Sequence, residues 1–541
     1  MATVAVAFWR ALSAGTIWDD EYLTVRNTHL ASWSGVRELV TTDIWSSSAV
    51  GDASGYYRPV ASLSFALNRL LGGNTARAYH AGNLLLHVLV AALLLRLILV
   101  RGIAKGARAV ACVVLVATMP LVAEPVSWIA GRYDLIATFF TLVAFEANHR
   151  KSRAVWVPVA FALAILSKEP FAVVAALVVL DDVLVWRRSA IGEAPKWAGL
   201  VVALGGSFVL RAWAHVPQAS TLLSQGRSFE IARAYAFAVK TFARLAVHPV
   251  DLCFFRTYEP PTVGASLAIT ATCCAALALA VYWWRRAPWR ASHAAVLLGV
   301  LWAAVALVPG ALAAPALHII GDRYAYFALV GASVALAGLV ESTLRGAVRR
   351  GAPVLLLGLA IAQAFRLESR LVELQSEDSM FTATLARDPD NFTNLLLYGH
   401  VLALRGEYQR AEELLLHARA VAPVTGDIDV ALAFVHLHER RFAEAEADAR
   451  RAVETKPENA RGWVNLATAL VDQDEPGPAV EMATRALDIR PRFAYAHVIR
   501  AIAYLKLGRI DDAHADIIDA LAIEPSNAQA QRMLENFHAN R

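Results

Sequence analysis

The chain has 541 residues, 57% of them hydrophobic and 18% charged, with a formal net charge of +5. It is too apolar for a soluble protein and too charged to lie wholly in a membrane. The small positive balance sits in short loops between apolar runs, a pattern of membrane topology that argues against nucleic acid as a partner. The two properties also separate along the chain. Apolar runs alternate with short charged loops from Tyr79 to about Phe365, whereas Arg366 to Arg541 is charged, Ala/Leu-rich and helical in period. The expectation is an all-α protein with a membrane domain over 1–366 followed by a soluble domain. Of the four cysteines, Cys112, Cys273 and Cys274 lie in apolar runs, and with Cys253 they show neither metal-ligand spacing nor a disulfide framework.

Met1 to Ile17 is apolar but carries Arg10. Seventeen residues at 1.5 Å rise reach about 26 Å, short of the ~30 Å hydrocarbon core, so the chain is expected to start downstream of the natural start. Trp18-Asp19-Asp20-Glu21-Tyr22 follows, opening a polar loop that lasts to about Tyr79. Nothing nearby in sequence neutralises these acids. They mark either a catalytic end at the lipid surface or a solvated acidic turn.

Further apolar runs fall at about 81–100, 108–122, 134–148, 154–167, 170–186, 196–213, 265–284, 294–312, 324–341 and 352–366. Basic residues occupy every second loop: Arg101, Lys105 and Arg108; Arg150, Lys151 and Arg153; Arg187, Arg188 and Lys196; Arg285, Arg286 and Arg290; Arg345, Arg349 and Arg350. Those loops are therefore cytoplasmic. Arg233 to His248 is apolar but carries Lys240 and Arg244, and is read as an interfacial or re-entrant helix in one long outer loop, 214–264. With the N-terminal run the total is about eleven spans, and an odd number places the acidic loop and the C-terminal domain together on the non-cytoplasmic side.

The outer loops then gather an unusual set of polar residues. The first holds Asp19, Asp20 and Glu21, later Tyr57-Arg58-Pro59, and runs into His80, Asn83 and His87 on one helix face. The second reads Glu124 to Asp134 and includes Arg132, the third is Ser167-Lys168-Glu169-Pro170, and a later one is Gly321-Asp322-Arg323-Tyr324. Any one pair could be a structural ion pair, but their convergence on one face suits an anionic lipid-phosphate donor with an attacking hydroxyl. Cations would hold the phosphate and a carboxylate would take the proton.

The C-terminal segment repeats at a spacing of 34. Pro423, Pro457, Pro491 and Pro525 share one position; Ala411, Ala445, Ala479 and Ala513 a second; Ala418, Ala452, Ala486 and Ala520 a third; and Gly399, Ala433, Ala467 and Ala501 a fourth. This is the tetratricopeptide pattern, in which small residues let paired helices approach and proline stops the second helix. Four repeats are expected over 392–527, with a connecting helix or half repeat at 367–391 and a capping helix at 528–541. Pro476-Gly477-Pro478 is expected as a tight, non-helical turn. The concave face of such an array binds an extended peptide or partner, or serves as a rigid lid or dimer surface.

Trp18-Asp19-Asp20, Tyr57-Arg58-Pro59-Val60, Tyr79-His80 with Asn83 and His87, Glu124 to Leu135, Ser167-Lys168-Glu169 and Asp322-Arg323-Tyr324 with Tyr326 together resemble the transmembrane and tetratricopeptide repeat-containing O-mannosyltransferases. The resemblance covers nearly the whole membrane domain. It implies a polytopic GT-C-type bundle and an inverting glycosyltransferase that uses a polyprenyl-phosphate-linked sugar, with a bacterial inner-membrane setting and the repeats on the outer side. The acceptor would be a hydroxyl, such as a protein Ser/Thr captured by the repeats, and membrane lipid would surround the site. Asp19 or Asp20 would act as general base, Asp20 preferred, with Glu124 placing sugar or base. Arg58, His80, Arg132, Asp134, Lys168, Glu169, Arg323 and Tyr324 would bind donor phosphate or sugar. A divalent cation, if one is used, would fall to Asp19 and Asp20. The family pattern His-Pro-x-His-x-Glu is broken here, because Met119 and Val122 stand at the histidine positions ahead of Glu124. That departure gives weight to the alternative of a non-catalytic membrane-anchored repeat scaffold. A transporter is disfavoured, since no inverted repeat with paired broken helices is visible.

Overall fold

The computed structural model describes all residues except 46–54, 151–154, 215, 217–227, 288, 423–424 and 540–541. Lys151, Arg153, Pro423 and part of the outer loop 214–264 lie outside the described residues. The fold is all-α but for one antiparallel two-residue pairing, Arg256–Thr257 with Ile319–Ile320. The chain divides into two compact units, Met1–Arg387 and Asp388–Arg541.

Among the described residues of the first unit, five helices are long and apolar enough to cross a membrane: Ala76–Val100, Val263–Arg286, Ala291–Pro315, Asp322–Thr343 and Gly346–Glu373. Gly106–Ala117 and Pro120–Ser127 make a sixth if the pair, bent by 59°, counts as one. This is a multi-pass membrane bundle. The other expected spans are helical but short or interrupted. Trp156–Ile165 has only 10 residues, and 169–186 is divided into a 3-10 turn, a short α-helix and a π-helical turn. The first segment departs from a single span: it folds as Ala2–Ala7 and Trp9–Ser13, with Arg10 paired to Glu368. Ser228–Val247, expected to be interfacial, is a 20-residue helix tied to the bundle by Tyr235, whose hydroxyl donates to the Ala304 carbonyl at 2.9 Å.

Close packing in this unit relies on glycine. Helices 291–306 and 325–343 approach so tightly that a Cβ at Gly331 would lie 2.7 Å from the Trp302 Cβ, and one at Gly299 2.5 Å from the Gly331 carbonyl oxygen. Lipid supplies no hydrophobic drive between spans, so such close backbone contact is what holds them.

Several basic-loop residues are not free surface charges. Arg101 donates bidentately to Asp181 at 2.6 and 3.1 Å and to the Phe145 carbonyl. Lys196 and Arg188 pair with Asp182, and Asn148 bridges both acids at 2.8 and 3.0 Å.

In the second unit the helices pair as the 34-residue period requires: 392–404 with 408–421, 426–438 with 442–455, 460–472 with 476–489, and 494–506 with 510–523, followed by Ala528–Ala539. The alanines at the two second-helix columns are fully buried in every repeat. One expectation is corrected. Pro476-Gly477-Pro478 is not a non-helical turn but the first turn of Pro476–Ile489. The first helical N–H groups have no intrahelical acceptor, so proline there loses nothing. The tight turn falls earlier, at Asp474, with φ 64°.

Gly331→Leu is expected to cost about 1–3 kcal/mol through overpacking against Trp302. Gly358→Leu should be neutral, since a Cβ there meets nothing within 4 Å. Thermal unfolding of both variants in detergent checks this, and equal melting midpoints would refute it.

Candidate active site

Asp20 is the centre from which the site is built. It is fully buried, and its carboxylate accepts three backbone hydrogen bonds: Ile17 N–H at 3.1 Å, Ile129 N–H at 3.2 Å and Ala130 N–H at 2.8 Å. Those N–H groups belong to two stretches far apart in sequence, so one side chain staples the two together. Asn83 grips the same stretch from the other side, its amide N–H donating to the Trp128 and Ile129 carbonyls at 2.9 and 3.2 Å. Gly131 closes this turn because a Cβ there would stand 2.6 Å from the Pro125 carbonyl oxygen.

Asp19 lies beside it, its carboxylate accepting from the Trp128 indole N–H at 2.9 Å. Trp18 sits in the left-handed region at φ 53°, its N–H donating to Glu377 at 2.7 Å and its ring stacked on Trp128 at 6.2 Å. Burial pushes the Asp19 carboxyl up to about 7, against the pull of the Trp128 hydrogen bond and of Arg323 and Arg58. Burial, and then the neighbouring Asp19 charge, hold Asp20 well above the carboxylate range, against its backbone donors.

The expected cations fall into two groups. Arg132 is spent on structure. Its Nε donates to Asn83 at 2.7 Å, Nη1 to the Ser64 carbonyl at 3.3 Å, and Nη2 to Asn68 at 2.7 Å and the Tyr79 carbonyl at 2.6 Å. Arg323 and Arg58 keep donors in reserve. Arg323 donates through Nη1 to Glu124 at 2.7 Å and lies among the rings of Trp128, Phe254, Phe255 and Tyr324 at 4.8–5.5 Å. Arg58 donates through Nε to Glu169 at 3.0 Å, while the Tyr57 N–H holds the other Glu169 oxygen at 2.9 Å. Both guanidinium groups act electrostatically on Asp19.

Lys168 donates to both Asp134 oxygens at 2.6 and 2.7 Å and lies 5.4 Å from the Tyr324 ring centre. His80 bonds the Gly15 carbonyl through Nε2 at 3.0 Å, and His87 lies between the Tyr326 hydroxyl and the Ala117 carbonyl at 2.9 and 3.0 Å. Asp322 holds Arg256 and the Cys253 N–H, the latter at 2.7 Å. Met119 and Val122, standing at the family's histidine positions, are buried apolar side chains. The stretch Glu124 to Asp134 includes Trp128 and Tyr133 without marking either as a site residue, and Asn68 lies outside every motif, yet Trp128 fixes Asp19 and Asn68 fixes Arg132.

The donor set fits a divalent cation only in part. Asp19 has one carboxylate oxygen free of hydrogen bonds among the described residues, but all three donors to Asp20 would compete with a metal.

A membrane bundle with a buried acid pair, two arginines with donors in reserve and an array of helical repeats defines a multi-pass membrane protein of the tetratricopeptide-repeat class. The tetratricopeptide repeat family model matches residues 430–492. Protein O-mannosyl-transferase TMTC3 of Mus musculus is 22% identical over 98% of this chain, and the match covers 64% of that relative. For TMTC3 of Homo sapiens the identity is 21% over 99% of this chain and 65% of the relative. Tmtc1 of Drosophila melanogaster is 31% identical over 28% of this chain and 17% of its own length. The chain thus spans 64–65% of the length of the relatives it matches end to end. Among solved structures, MamA is similar at 22% identity and a TM-score of 0.25, covering 28% of this chain and 84% of that one. YrrB is similar at 17% identity and a TM-score of 0.26, covering 34% and 91%. The chain is TMTC-like: over nearly its whole length it is similar to tetratricopeptide repeat-containing protein O-mannosyltransferases.

Arg132→Met is expected to cost about 3–5 kcal/mol, because it strands buried Asn83, half-buried Asn68 and the Tyr79 carbonyl without their donor. Loss of folded protein in detergent, judged by size-exclusion profile and melting midpoint, checks this. A wild-type midpoint would refute it.

Proposed function

We propose that the protein transfers a hexose from a polyprenyl-phosphate-linked sugar to a hydroxyl acceptor at the non-cytoplasmic membrane face. The observation that carries this reading is the buried Asp19–Asp20 pair beside Arg58 and Arg323, both with guanidinium donors unspent. The similarity to proteins named protein O-mannosyl-transferases supports the same class of chemistry, and mannose is the first sugar to test.

In the proposed step the acceptor oxygen attacks the anomeric carbon while the bond from that carbon to the phosphate oxygen breaks. The hydroxyl proton passes to a carboxylate, and the lipid phosphate leaves with the bonding electron pair. The geometry favours Asp19 over Asp20 as base. Asp20 is sequestered by three N–H donors, whereas Asp19 has a free oxygen and a pKa close to working pH. Arg58 and Arg323 would take the developing phosphate charge, with Glu169 and Glu124 holding them in place. Lys168, locked to Asp134 beside Tyr324, would add positive potential rather than a direct contact. His80, with one ring nitrogen on Gly15, would support the wall of the site, and Arg132 would hold the second outer loop rather than bind phosphate. The repeats would present a protein segment bearing the acceptor hydroxyl.

Transfer is measured in membranes with polyprenyl-phosphate mannose and polyprenyl-phosphate glucose, reading sugar on protein by mass spectrometry. Asp19→Asn is expected to lower transfer by about 10²–10⁴-fold with normal expression. Wild-type transfer by well-expressed Asp19→Asn would remove Asp19 as the base, and no transfer by wild type from either donor would favour a scaffold.

The pH profile follows from the same group. A base whose pKa is raised to about 7 is increasingly protonated below that value. Transfer should therefore fall about tenfold per pH unit as pH drops below 7, and level off above it. A rate independent of pH between 5 and 8 would contradict this assignment.

A further inference from the structure

Tyr133 lies between Arg132 and Asp134 in the first turn of Arg132–His149, and its role is not accounted for by packing alone. Its ring is well held. Phe65 meets it edge-on at 6.0 Å, and the Arg58 guanidinium lies 4.7 Å from its centre. Its hydroxyl is buried and has no hydrogen-bond partner among the described residues. The charged groups acting on that hydroxyl are Asp19, Arg58, Asp20 and Glu169.

An unpaired buried hydroxyl costs stability that phenylalanine would avoid at the same shape. The surrounding groups are all placed by other bonds: Arg58 by Glu169, Asp20 by three backbone N–H groups, and Asp19 by Trp128. The hydroxyl is therefore a donor without a partner among the described residues, on a ring that packs against the Arg58 guanidinium and within electrostatic reach of the acid pair. Arg58 can supply charge and N–H donors to an anion, and the Tyr133 O–H would add one further donor at a fixed position on a rigid ring.

We propose that the Tyr133 hydroxyl donates a hydrogen bond to a phosphate oxygen of the lipid-linked donor, next to the Arg58 guanidinium. This rests on the reading of the site as one for a polyprenyl-phosphate sugar, and it adds a residue that fixes the phosphate's position.

The test uses the full chain in detergent, with Tyr133→Phe, which keeps the ring and its contacts. The probes are a polyprenyl monophosphate and the matching polyprenol without phosphate, with binding followed by the shift in melting midpoint across a titration. The expected result is an unliganded midpoint at or above wild type, with phosphate affinity about tenfold weaker and polyprenol affinity unchanged. Equal phosphate affinity in wild type and Tyr133→Phe overturns the proposal. So does a wild type that does not distinguish the monophosphate from the polyprenol. Transfer from polyprenyl-phosphate mannose and glucose by wild type is measured on the same preparations. A wild type that binds phosphate through Tyr133 but transfers no sugar would overturn the enzymatic reading and leave this contact standing. Transfer with unaltered phosphate binding in Tyr133→Phe would do the reverse.

Discussion

The candidate site depends on how one carboxylate is buried. Taking Asp20 out of water is costly, and the cost is offset by three backbone N–H donors drawn from two loops far apart in sequence. Because those donors come from Ile17 on one side and from Ile129 and Ala130 on the other, the carboxylate can be satisfied only when the loops are together. The interaction that makes Asp20 tolerable therefore also brings Trp128 to Asp19, and with Trp128 the ring against which Arg323 rests. Asp19 is then buried beside a second acid with one hydrogen bond and two nearby arginines. Two adjacent carboxyls in such a place do not both ionise freely, and one is left titrating near neutrality.

Much of this was legible from the chain. The period of 34 with small residues at fixed columns specifies paired helices, because only small side chains allow that approach, and Ala411, Ala445, Ala479 and Ala513 are buried accordingly. The face formed by His80, Asn83 and His87 follows from helical spacing, and all three side chains are buried. Pairings across the bundle were not legible. Lys168–Asp134 and Arg323–Glu124 join residues 34 and 199 positions apart, and no local pattern encodes which acid meets which base. Span counting suffers for a related reason. Hydropathy reports composition, while π-helical turns, a 59° bend and a split N-terminal segment are set by packing. The Pro-Gly-Pro run misleads because proline is both a turn residue and a good first residue of a helix, and only the position of Asp474 decides between the two.

Arginine shows how little residue type alone conveys. Arg132, inside the most recognisable motif of the second outer loop, has all three guanidinium nitrogens engaged by protein oxygens. Four of its five N–H donors are spent on these bonds, and its work is to join three segments. Arg58 and Arg323 both act electrostatically on Asp19 and have part of their donor capacity unused among the described residues, and each is oriented by one carboxylate and by aromatic faces. Aromatic walls leave a guanidinium weakly hydrated and hold its plane, which favours a planar, charge-assisted contact with an incoming anion.

The comparison that separates function from structure lies within the same unit. The cluster around Asp181 and Asp182 is as charged and as buried as the one around Asp20, and every carboxylate oxygen of both acids is engaged, by Arg101, Asn148, Trp186, Arg188, Lys196 or Trp197, although Arg101 Nε is buried without a partner among the described residues. A closed network of that kind resists opening, because any displaced partner leaves a charge stranded in low dielectric. The outer cluster is built differently. Glu124 keeps one buried oxygen without a donor, and the Tyr133 hydroxyl and His80 Nδ1 are likewise unpaired among the described residues. Three buried polar atoms without partners around one acid pair are expensive as architecture. That cost is what the proposed sugar-phosphate donor and its acceptor would offset, by bringing complementary oxygens and hydroxyls to these atoms.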